Sequence, residues 1–341
     1  MKNQFLKLII LQFLVIVTCY GCKKSKSSTS SVNEEPAETD YSNPVSAQNL
    51  PDPTIIKAAD GYFYLYTTEG TRNVPIYKSA NLTEWRFAGT AFTAYTRPNF
   101  EPSGNIWAPD INYINGKYVL YYSMSVWGGT WTCGIGIAVS SQPQGPFIDN
   151  GKLFRSNEIN VENSIDPFYI EENGRKYLFW GSFKGIYSVE LADDGLSVKP
   201  GAEKKQIAGT AFEGIYIHKK GDYYYLFASI GSCCNGINST YKLVAGRSAS
   251  LMGPYVDKNG KNMMQNGYTL IIDKNERFVG NGHCSEIVQD KDGNDWIFYH
   301  GIDIENPTGR RLMLDQVLWD NDSWPYIKGG TPSIQSKKPK F

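Results

Sequence analysis

The sequence predicts an all-β fold, a five-bladed β-propeller, on three observations. Five glycine-led aromatic strands recur, beginning near Gly61, Gly116, Gly174, Gly221 and Gly293, while little of the chain keeps a helical hydrophobic period. They start roughly 50–70 residues apart, which leaves room for four short strands and their turns in each interval. A second element repeats with them. Ser140–Phe147 and Ser248–Tyr255 share a Ser-x4-Gly-Pro-aromatic pattern, and Ser79–Trp85 stands at the equivalent place in the first repeat. Finally, short acidic motifs, Asp52-Pro53, Asp166-Pro167 and Glu213-Gly214, precede three of the aromatic strands. A sandwich would leave that fixed phase of the acids unexplained.

Taken from the start of the chain, residues 1–22 read as a targeting segment. Lys2 and Lys7 precede an apolar run from Leu8 to Val17 that is too short to span a bilayer as an ordinary helix. Gly21-Cys22 resembles the lipobox of bacterial lipoproteins, which implies cleavage before Cys22, acylation of its thiol and attachment to a membrane through that lipid. The expected location is that of an exported lipoprotein, in the outer membrane or facing the periplasm. Residues 23–45, rich in Ser, Lys, Glu and Pro, read as a flexible tether. Residues 46–341 are left for the propeller. Of six cysteines, Cys133, Cys233, Cys234 and Cys284 fall in that domain without metal-ligand spacing; the adjacent pair Cys233-Cys234 is either a vicinal disulfide or two thiols.

Composition excludes some partners. Lys plus Arg and Asp plus Glu number 34 each, so no basic excess points to nucleic acid. Aromatics make up 14% of the chain, with 23 Tyr against 16 Phe, which suits half-buried strands and also grooves that stack on sugar rings.

The prolines orient the acids. Proline cannot donate to a strand ladder and is confined to edges and bulges, and the innermost strand of a propeller blade is an edge on the central channel. Pro53, Pro109 and Pro167 lie beside Asp52, Asp110 and Asp166, so these acids are expected to face the axis. Glycosidic cleavage needs one protonated carboxyl and one ionised carboxylate in a single pocket, with their pKa values pushed apart. A third carboxylate can raise the acid by like-charge repulsion. Asp52, Asp166 and Glu213, carried by different repeats, supply these parts.

Here the chain resembles glycoside hydrolase family 43, and within it the endo-1,5-α-L-arabinanases. The resemblance runs from about Leu50 to Pro332 and rests on Leu50–Thr54, Ile106–Ile111, Ser164–Pro167, Trp180–Phe183, Phe212–Gly214, Cys233–Tyr241, Gly280–His283 and Tyr299-His300. It implies an inverting mechanism with Asp52 as general base, Glu213 as general acid and Asp166 as the carboxylate that tunes Glu213. It implies α-1,5-linked arabinan of plant cell walls, or its oligosaccharides, as substrate. His283 sits in the fifth repeat where others carry acids; in similar enzymes that histidine helps hold a central ion, usually calcium. Asp110 is a structural or substrate-orienting acid, with a turn-stabilising role favoured. His218 and His300 read as strand histidines with satisfied partners.

Trp107, Phe212, Trp127, Trp131 and Trp180 are candidates for stacking on furanose rings, with Trp107 and Phe212 foremost because each adjoins an axis motif; any of the five could instead be core between blades. The sequence also departs from the pattern. Pro51 replaces a histidine before the base, Lys184 replaces an aromatic after Gly-Ser-Phe, and Asn281 replaces a proline. These changes bear on linkage and on endo or exo mode. An exo-acting α-L-arabinofuranosidase or β-xylosidase of the same family is the nearest alternative; a glycan-binding surface lipoprotein without catalysis is another. No organic cofactor is implied, and a monomer is expected.

Overall fold

The computed structural model describes residues 40–68 and 70–341, so the expected signal segment and most of the expected tether lie outside the described residues. Five antiparallel sheets follow one another along the chain, spanning residues 54–90, 105–155, 168–208, 213–272 and 278–327. In each, consecutive strands are neighbours, and a short extra strand, Val288–Gln289, joins the fifth. This is the expected five-bladed propeller, and each of the five aromatic strands is the second strand of its blade. Among the described residues no helix is long and apolar enough to cross a membrane.

The aromatic residues do what burial demands of them. Tyr64, Tyr66, Tyr121, Tyr225 and Tyr299 are fully buried, and the apolar clusters run across blade boundaries; one unites Phe63 and Leu65 of blade 1 with Phe298 and Leu314 of blade 5. Tyrosine suits this role because its ring fills the gap between sheets while its hydroxyl reaches a backbone carbonyl, as Tyr121 does at Gly195 (2.6 Å).

Ring closure depends on a segment that the sequence placed in the tether. Asp40–Ser42 pair antiparallel with Gln335–Lys337, tying the two ends of the domain together. Next to that strand, buried Asn43 exchanges two hydrogen bonds with the backbone of Leu314: its amide donates to the carbonyl and its oxygen accepts the N–H, both at 2.9 Å. The side chain thus substitutes for a strand partner where blade 5 meets the N-terminal segment.

Asn43→Ala leaves the Leu314 N–H buried and unpaired, while its carbonyl keeps the Tyr41 hydroxyl at 2.6 Å. The expected cost is about 1–3 kcal/mol, read as a lower denaturation midpoint with an unchanged slope in urea unfolding.

Candidate active site

The axis is organised by one backbone position per blade, within the innermost strand or within two residues of its end. In every blade it holds a residue with positive φ: Asp52 (54°), Ala108 (38°), Asp166 (58°), Gly214 (57°) and His283 (51°). In blades 2 and 4 the ladder shifts register across it, as at a β-bulge, a device that re-aims side chains beside active sites. Four of these residues donate their N–H to a side chain on or just past the second strand of the preceding blade. Ala108 donates to Thr68 (2.7 Å), Asp166 to Ser123 (2.8 Å), His283 to Ser229 (2.7 Å), and Asp52, closing the circle, to His300 Nδ1 (3.2 Å). The fifth, Gly214, donates to Asp166 Oδ2 at 3.1 Å.

Glu213 is one residue out of this phase, and Gly214 explains why. A Cβ at Gly214 would lie 2.8 Å from His283 Nδ1, so no side chain fits there. The acid moves back one place, and glutamate has the extra methylene to reach the pocket. Ser182 Oγ lies 2.6 Å from Glu213 Oε2.

Asp52, Asp166 and Glu213 are buried and near enough to shift one another's ionisation. Burial alone would raise all three carboxyls. At Asp52 burial is the largest single influence and raises the group, but the Arg310 guanidinium, 2.7 Å away, and the neighbouring imidazoles, His283 foremost (3.4 Å), together outweigh it and hold the group well below the ordinary carboxylate range. Asp166 is driven well above that range by burial, then by Glu213 and Asp52. Glu213 is also raised, by burial and then by Asp52, against the opposing hydrogen bond from Ser182. The pocket therefore holds an ionised carboxylate beside carboxyls that favour their protonated form.

Other expected residues fall differently. Asp110 follows its proline instead of preceding it, so it lies two positions beyond the axial one and away from the trio. It accepts the Tyr169 N–H of the next blade (2.8 Å) and the Asn112 amide (2.7 Å), and it couples to Glu286, which bonds Thr54 and the Ile55 N–H of blade 1. That is an inter-blade tie, not a substrate contact. Phe212 is 0% exposed and packs in the core, so it cannot stack on a sugar. Trp180 is likewise core, its indole N–H on Ser164 Oγ (3.1 Å). Trp107, next to Ala108, meets Trp127 edge-on at 6.3 Å, and Trp127 is 80% exposed. His218 is a satisfied strand histidine, 3.1 Å from Tyr216 Oη. His300, expected to be the same, is instead part of the site: burial lowers it to about 4, and its Nε2 has no partner among the described residues. Cys233 and Cys234 form a vicinal disulfide, and Lys184 pairs with Glu162 at 3.2 Å.

Among the described residues no three of His, Cys, Asp and Glu are arranged to hold a metal ion. His283 alone does not fit calcium, which takes six to eight oxygen ligands, and its Nδ1 is directed at Asp52.

Comparison with known proteins decides the family. The profile of glycosyl hydrolases family 43 matches residues 41–325. The chain belongs to glycosyl hydrolases family 43. Among similar family 43 relatives, an extracellular endo-α-(1→5)-L-arabinanase of Bacillus subtilis is 36% identical over 81% of this chain and 87% of its own length. An extracellular exo-α-(1→5)-L-arabinofuranosidase of Cellvibrio japonicus is 32% identical over 81% of this chain and 85% of its own. The structure of Cellvibrio cellulosa α-L-arabinanase complexed with arabinohexaose superposes with a TM-score of 0.75 at 33% identity, covering 82% of this chain and 95% of that one. This family 43 chain is a glycoside hydrolase.

The raised Glu213 carries a stability consequence. A carboxyl whose folded pKa lies above its unfolded value of about 4.3 contributes stability below that value and loses it as pH rises through the folded one. Glu213→Gln, neutral at every pH, is expected to raise the melting temperature at pH 7 by roughly 2 °C and to leave it unchanged near pH 4, as read by calorimetry at both pH values.

Proposed function

We propose that the enzyme hydrolyses α-1,5-linked L-arabinan by an inverting acid–base mechanism. One observation carries this reading: Asp52 is held ionised by Arg310 in the same pocket where Glu213 is driven towards its protonated form. Asp52 takes a proton from water as the water attacks the anomeric carbon. Glu213 gives its proton to the departing glycosidic oxygen, and the anomeric configuration inverts. Asp166, itself raised by burial, Glu213 and Asp52, takes the Gly214 N–H, which fixes the backbone next to the acid. Trp107 and Trp127 offer ring faces to furanose units at the mouth of the site.

Endo action is favoured by the 36% identity to an endo-arabinanase, while the 32% identity to an exo-enzyme keeps release of single arabinose units as the second reading. Export as a monomeric lipoprotein anchored through Cys22 is the location we propose, supported by the Gly21-Cys22 motif and by relatives named as extracellular enzymes.

Product analysis on linear 1,5-arabinan tests the reading. Mixed arabino-oligosaccharides should appear first from the parent. Asp52→Asn and Glu213→Gln should each lose at least about 10²-fold in kcat. Free arabinose alone from the outset would turn the assignment to the exo mode, and full activity in Asp52→Asn would overturn the mechanism.

A further inference from the structure

Thr68 makes more contacts at the axis than its repeat position requires. Ser123 and Ser229, its counterparts in blades 2 and 4, each accept one N–H from the next blade. Thr68 does the same for Ala108 (2.7 Å), but its Oγ1 also lies 2.6 Å from Asp52 Oδ2, and its own N–H donates to the Pro51 carbonyl at 3.0 Å. We propose that Thr68 is a positioning residue that fixes the carboxylate plane of Asp52 and thereby selects the oxygen that takes the proton from water.

The argument begins with hydrogen-bond polarity. A hydroxyl has one proton to give. Since Oγ1 accepts the Ala108 N–H, that one proton goes to Asp52 Oδ2. Two-point fixing follows. Oδ1 is held by Arg310 at 2.7 Å, with His283 Nδ1 at 3.4 Å, whereas Oδ2 has Thr68 as its side-chain partner. Oδ1 is thus enclosed, and Oδ2 keeps a lone pair for water. Neither contact alone stops rotation of the carboxylate about its bond to Cβ; together they do. Three links also set distances along the chain. Pro51 O fixes Thr68 relative to the base, and Ala108, beside Trp107, fixes it relative to the indole at the mouth of the site. Threonine suits this better than serine because its branched Cβ restricts χ1.

The inference rests on Asp52 being the general base, so the experiment separates the two. Thr68→Val keeps the shape and removes the hydroxyl; Thr68→Ser keeps the hydroxyl; Asp52→Asn is measured beside them on linear arabinan. Thr68→Val should lose about 10–100-fold in kcat with KM within about twofold of the parent, because a charge-assisted hydrogen bond that aims the base is lost while sugar contacts remain. Thr68→Ser should recover to within about threefold. A folded Thr68→Val with the parent kcat, or an equal loss in the Ser variant, overturns the proposal. If Thr68→Val does not fold, Thr68→Ala is held to the same criteria. An active Asp52→Asn would instead remove the base assignment, whatever Thr68 does.

Discussion

A single backbone constraint underlies the site: one residue per blade held at positive φ in or beside the innermost strand. Outside glycine this conformation costs about 1–2 kcal/mol per residue, and only a scaffold that over-determines it can sustain it. The propeller does so by taking each of those N–H groups with a side chain from the preceding blade. The strain is thus offset by the same contacts that lock blade to blade. Its result is that Asp52, Asp166 and His283 project to one level of the channel, where unstrained strands would alternate their side chains. Catalytic geometry and ring closure are therefore one feature.

Given that convergence, electrostatics sorts the groups. Burial pushes every carboxyl at the axis upward, so three acids in a dry pocket would by themselves all tend to be protonated. Arg310 breaks the symmetry by lying on Asp52 Oδ1. With the neighbouring histidines, the guanidinium offsets the burial of that one carboxylate, whose negative charge then helps raise Glu213. The acid and the base are not independent residues with convenient pKa values: Arg310 favours the ionised Asp52, and the charge of Asp52 raises Glu213.

The blade count and the convergence of Asp52, Asp166 and Glu213 were legible because they rest on local signals: glycine turns, aromatic strands and acids next to a proline or glycine. Finer register was not. Asp110 stands beside a proline just as Asp52 does, but on its other side, and two residues along a strand move it from the channel site to a tie with Glu286 and Tyr169. Phe212 adjoins Glu213, yet its side chain turns into the core, since neighbouring strand residues face opposite ways. Thr68, His300 and Arg310 carried no motif that reasoning on acids would find. Arg310 lies 258 residues from Asp52 in sequence and meets it only because the ring closes. His300 could have been suspected from phase, since it falls in the second strand of blade 5 where blades 2 and 4 carry Ser123 and Ser229. The first strand, Asp40–Ser42, was hidden by the polar composition around it, because its stability comes from Gln335–Lys337 and from Asn43 rather than from an apolar pattern.

The central claim is that Asp52 is ionised while Glu213 is protonated in the resting enzyme. A carbon-13 NMR titration of the Asp and Glu side-chain carboxyls, assigned with Asp52→Asn and Glu213→Gln, tests it directly. The account predicts that Asp52 titrates below the ordinary carboxylate range and Glu213 above it. Two carboxyls titrating together within that range would contradict it.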